Sequence, residues 1–392
     1  MSDNIRAGKS KTAQMYGLGV VSLFLSLSTL IGVPVLPRLS DDLGAPDAVI
    51  PVILSSALVT VVLLQLFTGA LSDRYSRKKL ILIGAAVGCV SSLAIWFTTH
   101  WWQLLALRII GGVADAIAMP AVLSITATLG EEQPGKFFGI LRASQGLSYA
   151  IGPLVGGVFS LISLRVPFLV DGALSLITFF IVLALVKNNV VTQTEKPKLA
   201  DGLKTVFKQK RVYLYLLMGI TAFFGFGILS SFVPTKAQII GLSAWQISLI
   251  MSFGAILYSG TALFIGNLSE RFGRKAFVVS SQIIIIVSGV GFIFLGDSAA
   301  WLLLFYGLFC IGEAMAFLLS FVYATKLFSD SGIIGTAMGA FDSMIDFSLF
   351  LGPLISISVY GATGEMFPVF LLVCIPAIFG LSIFSLLLKN DS

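Results

Sequence analysis

The string Gly69-Ala70-Leu71-Ser72-Asp73-Arg74-Tyr75-Ser76-Arg77-Lys78 returns 197 positions later as Gly266-Asn267-Leu268-Ser269-Glu270-Arg271-Phe272-Gly273-Arg274-Lys275. Each copy lies between two long apolar runs. A small-x-Leu-Ser-acid-Arg-aromatic-x-Arg-Lys string at equivalent places marks an internal duplication, and a repeat constrains architecture before local propensity does. Other correspondences run beside it. Gly139 with Gly152-Pro153-Leu154 recurs as Gly339 with Gly352-Pro353-Leu354 at an offset of 200, and Asp115 recurs as Glu313 at 198. An offset this steady means that the two halves share one helix plan.

The solvent for that plan is lipid. The 392 residues are 57% hydrophobic and only 11% charged, with a mean hydropathy of +0.99, which no water-soluble globule of this length shows. A spanning helix needs about 20 mostly apolar residues. Twelve such runs are expected, at 14–36, 48–71, 80–98, 102–127, 137–162, 167–187, 212–234, 245–268, 276–296, 299–325, 335–360 and 366–388. All are far longer than a barrel strand, so backbone groups are satisfied within helices. The expected fold is an all-α membrane protein with 12 transmembrane helices in two pseudo-symmetric six-helix bundles, 1–187 and 212–392.

Charge placement sets the expected topology. With the N-terminus in the cytoplasm, Arg6, Lys9, Lys11, the basic residues of both decapeptides, Lys187, Lys196, Lys198, Lys204, Lys208, Lys210, Arg211 and Lys389 fall on that side. Only Arg38, Arg165 and Lys236 fall outside. This is the positive-inside pattern; it places both termini in the cytoplasm of a cell whose inner membrane holds the chain, and it accounts for the basic balance without nucleic acid. The first apolar run is too long for a signal-peptide core and lacks a small-x-small cleavage site, so it is expected to be retained as the first span.

The one long hydrophilic stretch, 188–211, joins the halves. Within it Leu199, Leu203, Val206 and Phe207 stand opposite Lys204, Lys208 and Lys210, which describes either a basic amphipathic helix on the cytoplasmic leaflet or a solvated linker. Cys89, Cys310 and Cys374 sit in apolar runs without metal-ligand spacing and read as core thiols. The lone histidine, His100, adjoins Trp101 and Trp102 and reads as interfacial. No catalytic triad, metal cluster or phosphate-binding Gly-x-x-x-x-Gly-Lys-Ser/Thr loop can be assembled, so neither an enzyme, a cofactor nor ATP-driven chemistry is expected.

With these residues the chain resembles the major facilitator superfamily, and within it the drug:proton antiporter branch. The first decapeptide resembles the superfamily's signature between spans two and three, with Ser76 for the usual second glycine; the other copy keeps that glycine as Gly273. Arg108-Ile109-Ile110-Gly111-Gly112 is similar to the Arg-x-x-x-Gly element of the fourth span. Gly139, Ser148, Gly152-Pro153 and Gly156-Gly157 fit the antiporter signature of the fifth span, with Ser148 where glycine is usual. The resemblance covers nearly the whole chain and implies transport by rocking of two bundles about a midplane site.

The residues carry chemistry of their own. Asp73 stands where the second span meets the cytoplasm, placed to accept from the free N–H groups at the start of the eleventh span. The resemblance implies a gate built from such a contact. Gly69, Arg74, Arg77, Gly266, Glu270 and Arg274 belong to the two gate motifs, although the arginines serve equally as topological anchors. Asp342 and Arg142, equivalent by the repeat, suit a gating or structural ion pair. Gly152-Pro153 with Gly156 and Gly157 predicts a bend and a close helix seam, either between the halves or as simple packing.

An ionisable group at mid-bilayer costs about 2.5–3.5 kcal/mol on insertion scales and is a functional candidate by default. Arg108 and Asp115 share a face of the fourth span. Glu313 lies midway along the tenth and Asp346 along the eleventh, and these acids are candidates for substrate or proton binding or for interhelical hydrogen bonds. Asp171, near the outer end of the sixth span, reads as either functional or interfacial. Tyr306, Phe309 and Phe317 recur at helical spacing about Glu313, and Phe223, Phe226 and Tyr149 extend the set, as a wall for an amphipathic cation or as ordinary packing. The first span carries no carboxylate. The expectation is a monomeric exporter of a small amphipathic, cationic or zwitterionic molecule, coupled to protons and with the lipid bilayer as its solvent. An uptake symporter of a polar metabolite and a non-transporting scaffold are the alternatives.

Overall fold

The computed structural model describes residues 2–46, 49–186 and 199–388. Lys187, Lys196, Lys198, Lys389 and the 188–198 part of the expected linker lie outside the described residues, as do the side chains of Arg6, Lys9 and Lys11. Among the described residues there is no strand. Fourteen α-helices follow one another: α1 (Ser2–Ile31), α2 (Leu36–Asp42), α3 (Ile50–Arg74), α4 (Arg77–Ala94), α5 (Trp101–Leu129), α6 (Pro134–Ser160), α7 (Val166–Leu185), α8 (Leu199–Lys208), α9 (Lys210–Ile239), α10 (Ala244–Phe272), α11 (Arg274–Leu295), α12 (Ala299–Phe328), α13 (Ile334–Thr363) and α14 (Met366–Leu387).

Eleven of these helices are long and apolar enough to cross a membrane. The three that are not are α2, α6 and α8. At 27 residues α6 reaches about 40 Å at 1.5 Å per residue, ample for a bilayer, but Gly135, Gly139, Gly146, Gly152, Gly156, Gly157, Ser144, Gln145 and Ser148 dilute its apolar content. Eleven of the twelve expected runs thus fall on strongly apolar helices, and the run expected at 137–162 falls on this glycine-rich one. Large apolar side chains on the outer faces, among them Leu63, Phe67, Val90, Phe180, Phe264 and Phe294, are exposed. In water such a surface would aggregate; in lipid it is the solvated face.

Local chemistry sets the helix ends. Prolines in the first turn open α2, α3 and α7, where a missing N–H costs nothing. Ser243 and Gln246 close a reciprocal capping box at the start of α10, satisfying two otherwise free donors. Pro120, Pro153, Pro234, Pro353 and Pro376 lie inside helices, tolerated where neighbouring helices satisfy the freed groups. Leu199–Lys208 is a helix, with Val206 fully buried and Lys204 and Lys208 exposed.

The chain forms two compact units that do not follow the halves of the sequence. The first comprises 1–129, 147–204 and 328–343; the second comprises 130–146, 205–327 and 344–392. Within the first, α5 packs against α3 and α4, while α1 and α4 pack against α7. One end of this unit is an apolar cluster in which Leu36, Leu39 and Leu43 meet Ile53, Ile95, Leu104 and Phe168. Within the second, α14 packs against α11 and α9, and Phe292 stacks on Phe370 with ring centroids 5.2 Å apart.

Candidate functional site

The first decapeptide ends α3 and begins α4. Its Asp73 side chain is 2% exposed and accepts three hydrogen bonds from the start of α13, a segment of the same compact unit. Gly335 N–H donates to Oδ1 at 2.6 Å, and the N–H and Oγ1 of Thr336 both donate to Oδ2 at 2.7 Å. These are short, charge-assisted bonds to a helix N-terminus, whose dipole also favours the negative charge. The approach requires glycine. A Cβ on Gly69 would stand 2.6 Å from the Gly335 carbonyl oxygen, and one on Gly339 would stand 2.6 Å from that of Gln65.

Arg77 is buried but does not bond Asp73 directly. Its Nη2 lies 4.0 Å from the carboxylate, whereas Nη1 donates to Ser124 O at 3.2 Å and to Thr128 Oγ1 at 2.7 Å, and Nε donates to Ser72 O. The guanidinium therefore serves the last turn of α5, where free carbonyls and the dipole favour a cation. Arg74 is partly buried. Beside this group Gln65 Nε2 donates to Asp342 Oδ2 at 3.2 Å, and both residues are buried.

The second decapeptide repeats the plan within the second unit. Glu270 Oε1 accepts from Gly135 N–H at 3.0 Å and lies 3.7 Å from Arg274 Nη2. Gly266 meets the backbone of Gly135, and a Cβ on Gly139 would stand 2.5 Å from the Ala262 carbonyl oxygen. Between α10 and α11 Gly273 has φ +90°, a conformation that favours glycine. The equivalent Ser76 has φ −58°, and its hydroxyl caps α4 by accepting from the Lys79 N–H. The serine in the first copy is thus accommodated because its turn needs no positive φ.

Ser148, Gly152 and Gly156 of α6 all meet α1 within the first unit. Ser148 Oγ donates to Leu23 O at 2.8 Å, Gly152 faces Leu30 and Gly156 the Ile31 carbonyl, while Gly157 meets open space. Pro153 lies inside the same helix. The hydroxyl at 148 explains why serine suits a place where glycine is usual: it is small and finds a carbonyl partner.

Arg108 and Asp115 line a cavity in the first unit, together with Asp171 of α7. Thr29 Oγ1 donates to Asp115 Oδ2 at 2.9 Å. Asp171 accepts from the Ser28 hydroxyl on one oxygen and from Ser92 Oγ on the other, the latter at 2.7 Å. The structure places Asp171 in the buried polar set. Its partners Ser28 and Ser92 come from α1 and α4, and no common spacing in the sequence signals them.

In the second unit Glu313 of α12 is 3% exposed. Among the described residues no side chain or backbone group hydrogen-bonds or ion-pairs with its carboxylate. Tyr306 and Phe309, a turn or two away, are buried and fill notches at Gly254 and Gly225, so packing is part of their role. Phe317 lies against Phe223 with centroids 4.0 Å apart and beneath Arg142, whose guanidinium carbon stands 4.1 Å from its ring and 4.3 Å from that of Phe321. Arg142 also donates to Gln145 Oε1 at 2.7 Å. Asp346 is partly buried in the second unit, and Tyr149, in the first, is 42% exposed.

Paired helix-terminus clamps in a duplicated helical membrane protein, with buried acids in each unit, describe a multi-pass membrane transporter. The family model described as Major Facilitator Superfamily matches residues 18–353 and again 215–392, and the chain belongs to that superfamily of transporters; it is not an enzyme. Two curated relatives are bacterial. A Quinolone resistance protein NorA of Staphylococcus aureus is 24% identical over 338 residues, spanning 85% of this chain and 86% of its own length. The class C tetracycline resistance protein of Escherichia coli is 25% identical over 390 residues, spanning 94% and 97%. The crystal structure of the human organic anion transporter MFSD10 (TETRAN) matches the fold with a TM-score of 0.83 at 18% identity, covering 95% of this chain and 99% of that one.

Proposed function

We propose that the protein is a proton-coupled exporter of a small amphipathic cation or zwitterion, working by alternating access. The observation that carries this reading is Glu313, an acid 3% exposed on an aromatic-rich helix with no partner of its own among the described residues. An unpaired carboxylate in lipid is costly, and its retention is accounted for if cargo or proton supplies the missing positive charge. Tyr306, Phe309 and Asp346 complete the proposed region, and the resistance functions in the relatives' names favour export of drug-like molecules over uptake of a polar metabolite.

In this reading the chain works as two six-helix bundles, 1–187 and 212–392, with α6 as the twelfth span and 188–211 as the linker. It is a monomer in the cell membrane with both termini cytoplasmic. The Asp73 contact to α13 and its weaker Glu270 counterpart are gates that hold one conformation and open in the transport cycle. Arg74 and Asp342 steady the first gate, and Arg142 the second.

The test is transport by purified protein in liposomes, with a panel holding an organic cation, a quinolone, tetracycline, an organic anion and a neutral solute of similar size. Glu313→Gln is expected to weaken cation transport by about tenfold or more, the equivalent of about 1.4 kcal/mol, and neutral transport much less. Equal losses for both, or selective transport of the anion by the unaltered protein, would sink the reading.

A further inference from the structure

The cavity that holds Arg108 and Asp115 is narrow, with room for water-sized particles of only about 40 Å³. One water needs roughly 10–15 Å³ of such space, and drug-sized ligands occupy pockets of about 300–1,000 Å³. The cavity therefore admits a few water-sized particles and excludes cargo. Its lining is nevertheless rich in charge and hydroxyl: Arg108, Asp115 and Asp171, with Ser28, Thr29, Ser92 and Ser175.

The hydrogen bonds separate the two acids. Both oxygens of Asp171 are occupied, one by Ser28 and one by Ser92, and Ser28 is itself held 3.0 Å from Ser175. Three hydroxyls thus brace Asp171 as an acceptor-only carboxylate. Among the described residues Asp115 has a single hydrogen-bond partner, Thr29, on Oδ2, and its Oδ1 has none. Arg108 carries a buried Nε without a hydrogen-bond partner among the described residues. With both carboxylates ionised and Arg108 charged, the cluster holds one excess negative charge, which low-dielectric surroundings penalise. The other titratable group nearby is the Cys89 thiol of α4, and α1 and α3 add none to the lining.

We propose that this cavity is a binding site for one exchangeable proton, carried on Asp115 Oδ1, with Asp171 as the positioning residue whose fixed negative charge retains it. One proton brings the cluster to neutrality. An alkali cation would need several oxygens at once, but those of Asp171 are already engaged and Arg108 shares the space. The inference rests on the reading of the chain as proton-coupled and gives the proton a place apart from the cargo: Asp115 and Arg108 belong to the ion site within the first unit, and cargo charge is left to Glu313.

Infrared difference spectroscopy on the full-length protein in nanodiscs, stepped in pH without any cargo, tests the site independently of export. The difference between the unaltered protein and Asp115→Asn is expected to hold one titrating carboxylic C=O band, separate from any band that Glu313→Gln removes. Asp171→Asn is expected to displace the band's pH midpoint by about one unit, Asp171→Glu to restore it, and Thr29→Val to shift the band frequency by removing the hydroxyl bond. Spectra in sodium and in choline salts are expected to coincide. An Asp115→Asn spectrum that differs from the unaltered one by no carboxylic band, or a midpoint indifferent to Asp171→Asn, overturns the assignment; a sodium-dependent band makes the site an alkali-cation site and overturns the proton. Intact titration in a protein that exports nothing would leave this site standing and remove only the exporter reading.

Discussion

Asp73 and Glu270 hold equivalent places in the two copies of the decapeptide, yet Asp73 accepts three hydrogen bonds from α13 and Glu270 one from α6. The shorter side chain brings its carboxylate flush against the helix N-terminus and out of solvent, and Thr336 supplies a hydroxyl as well as an N–H. At the second copy the residue after Gly135 is Lys136, which has no hydroxyl to give. Duplication conserved the backbone crossing, glycine against glycine in both units, while the polar contact diverged. The lesson is that a repeated motif fixes a shared geometry and leaves its strength to the few side chains that complete it.

The comparison is most sharply broken at Asp73. Asp73→Asn replaces a charged acceptor by a neutral amide whose NH₂ opposes one of the donors, at a cost of about 1.5–3 kcal/mol for each charge-assisted bond lost. Transport in liposomes is expected to fall by more than about tenfold, with insertion and expression intact; turnover equal to the unaltered protein would remove the gate role.

The turns offer the next contrast. Gly273→Ser puts a side chain at φ +90° and should cost about 1 kcal/mol, read as a lowered thermal midpoint of the purified protein. Ser76→Gly, at a negative φ, should lose only its weak cap, a few tenths of a kcal/mol. Equal midpoints for the two variants would contradict the account of why the copies differ. Smallest of all is Glu270→Gln, which keeps an acceptor for Gly135 and is expected to change transport by less than about twofold. An effect as large as that of Asp73→Asn would make the clamps equivalent.

Much of this was legible in the sequence for a physical reason: lipid leaves the backbone few options, so apolar runs and a repeat suffice to give an all-helical, duplicated plan. The apolar run at 137–162 marks α6, but the glycines and serines that let it approach α1 also hold its hydropathy below that of the eleven apolar helices. Asp73 could be aimed at the start of the eleventh span, but the hydroxyl of Thr336 and the bonds of Arg77 to Ser124 and Thr128 depend on how helices cross. The Asp115–Asp171 cavity was least legible. Its donors come from α1 and α4 as well as α5 and α7, and no linear spacing connects Ser28, Ser92 and Ser175. A serine in a membrane helix carries no label for the neighbour it will meet.

Whether a proton gradient drives cargo through this chain is decided by uptake of a labelled organic cation into proteoliposomes with an imposed pH difference. One pH unit is worth about 1.4 kcal/mol per proton, or about tenfold in accumulation. With the lumen acidic, the account predicts concentrative uptake that a protonophore abolishes and that reverses with the gradient. Uptake that equilibrates to the same level with and without the gradient would contradict it.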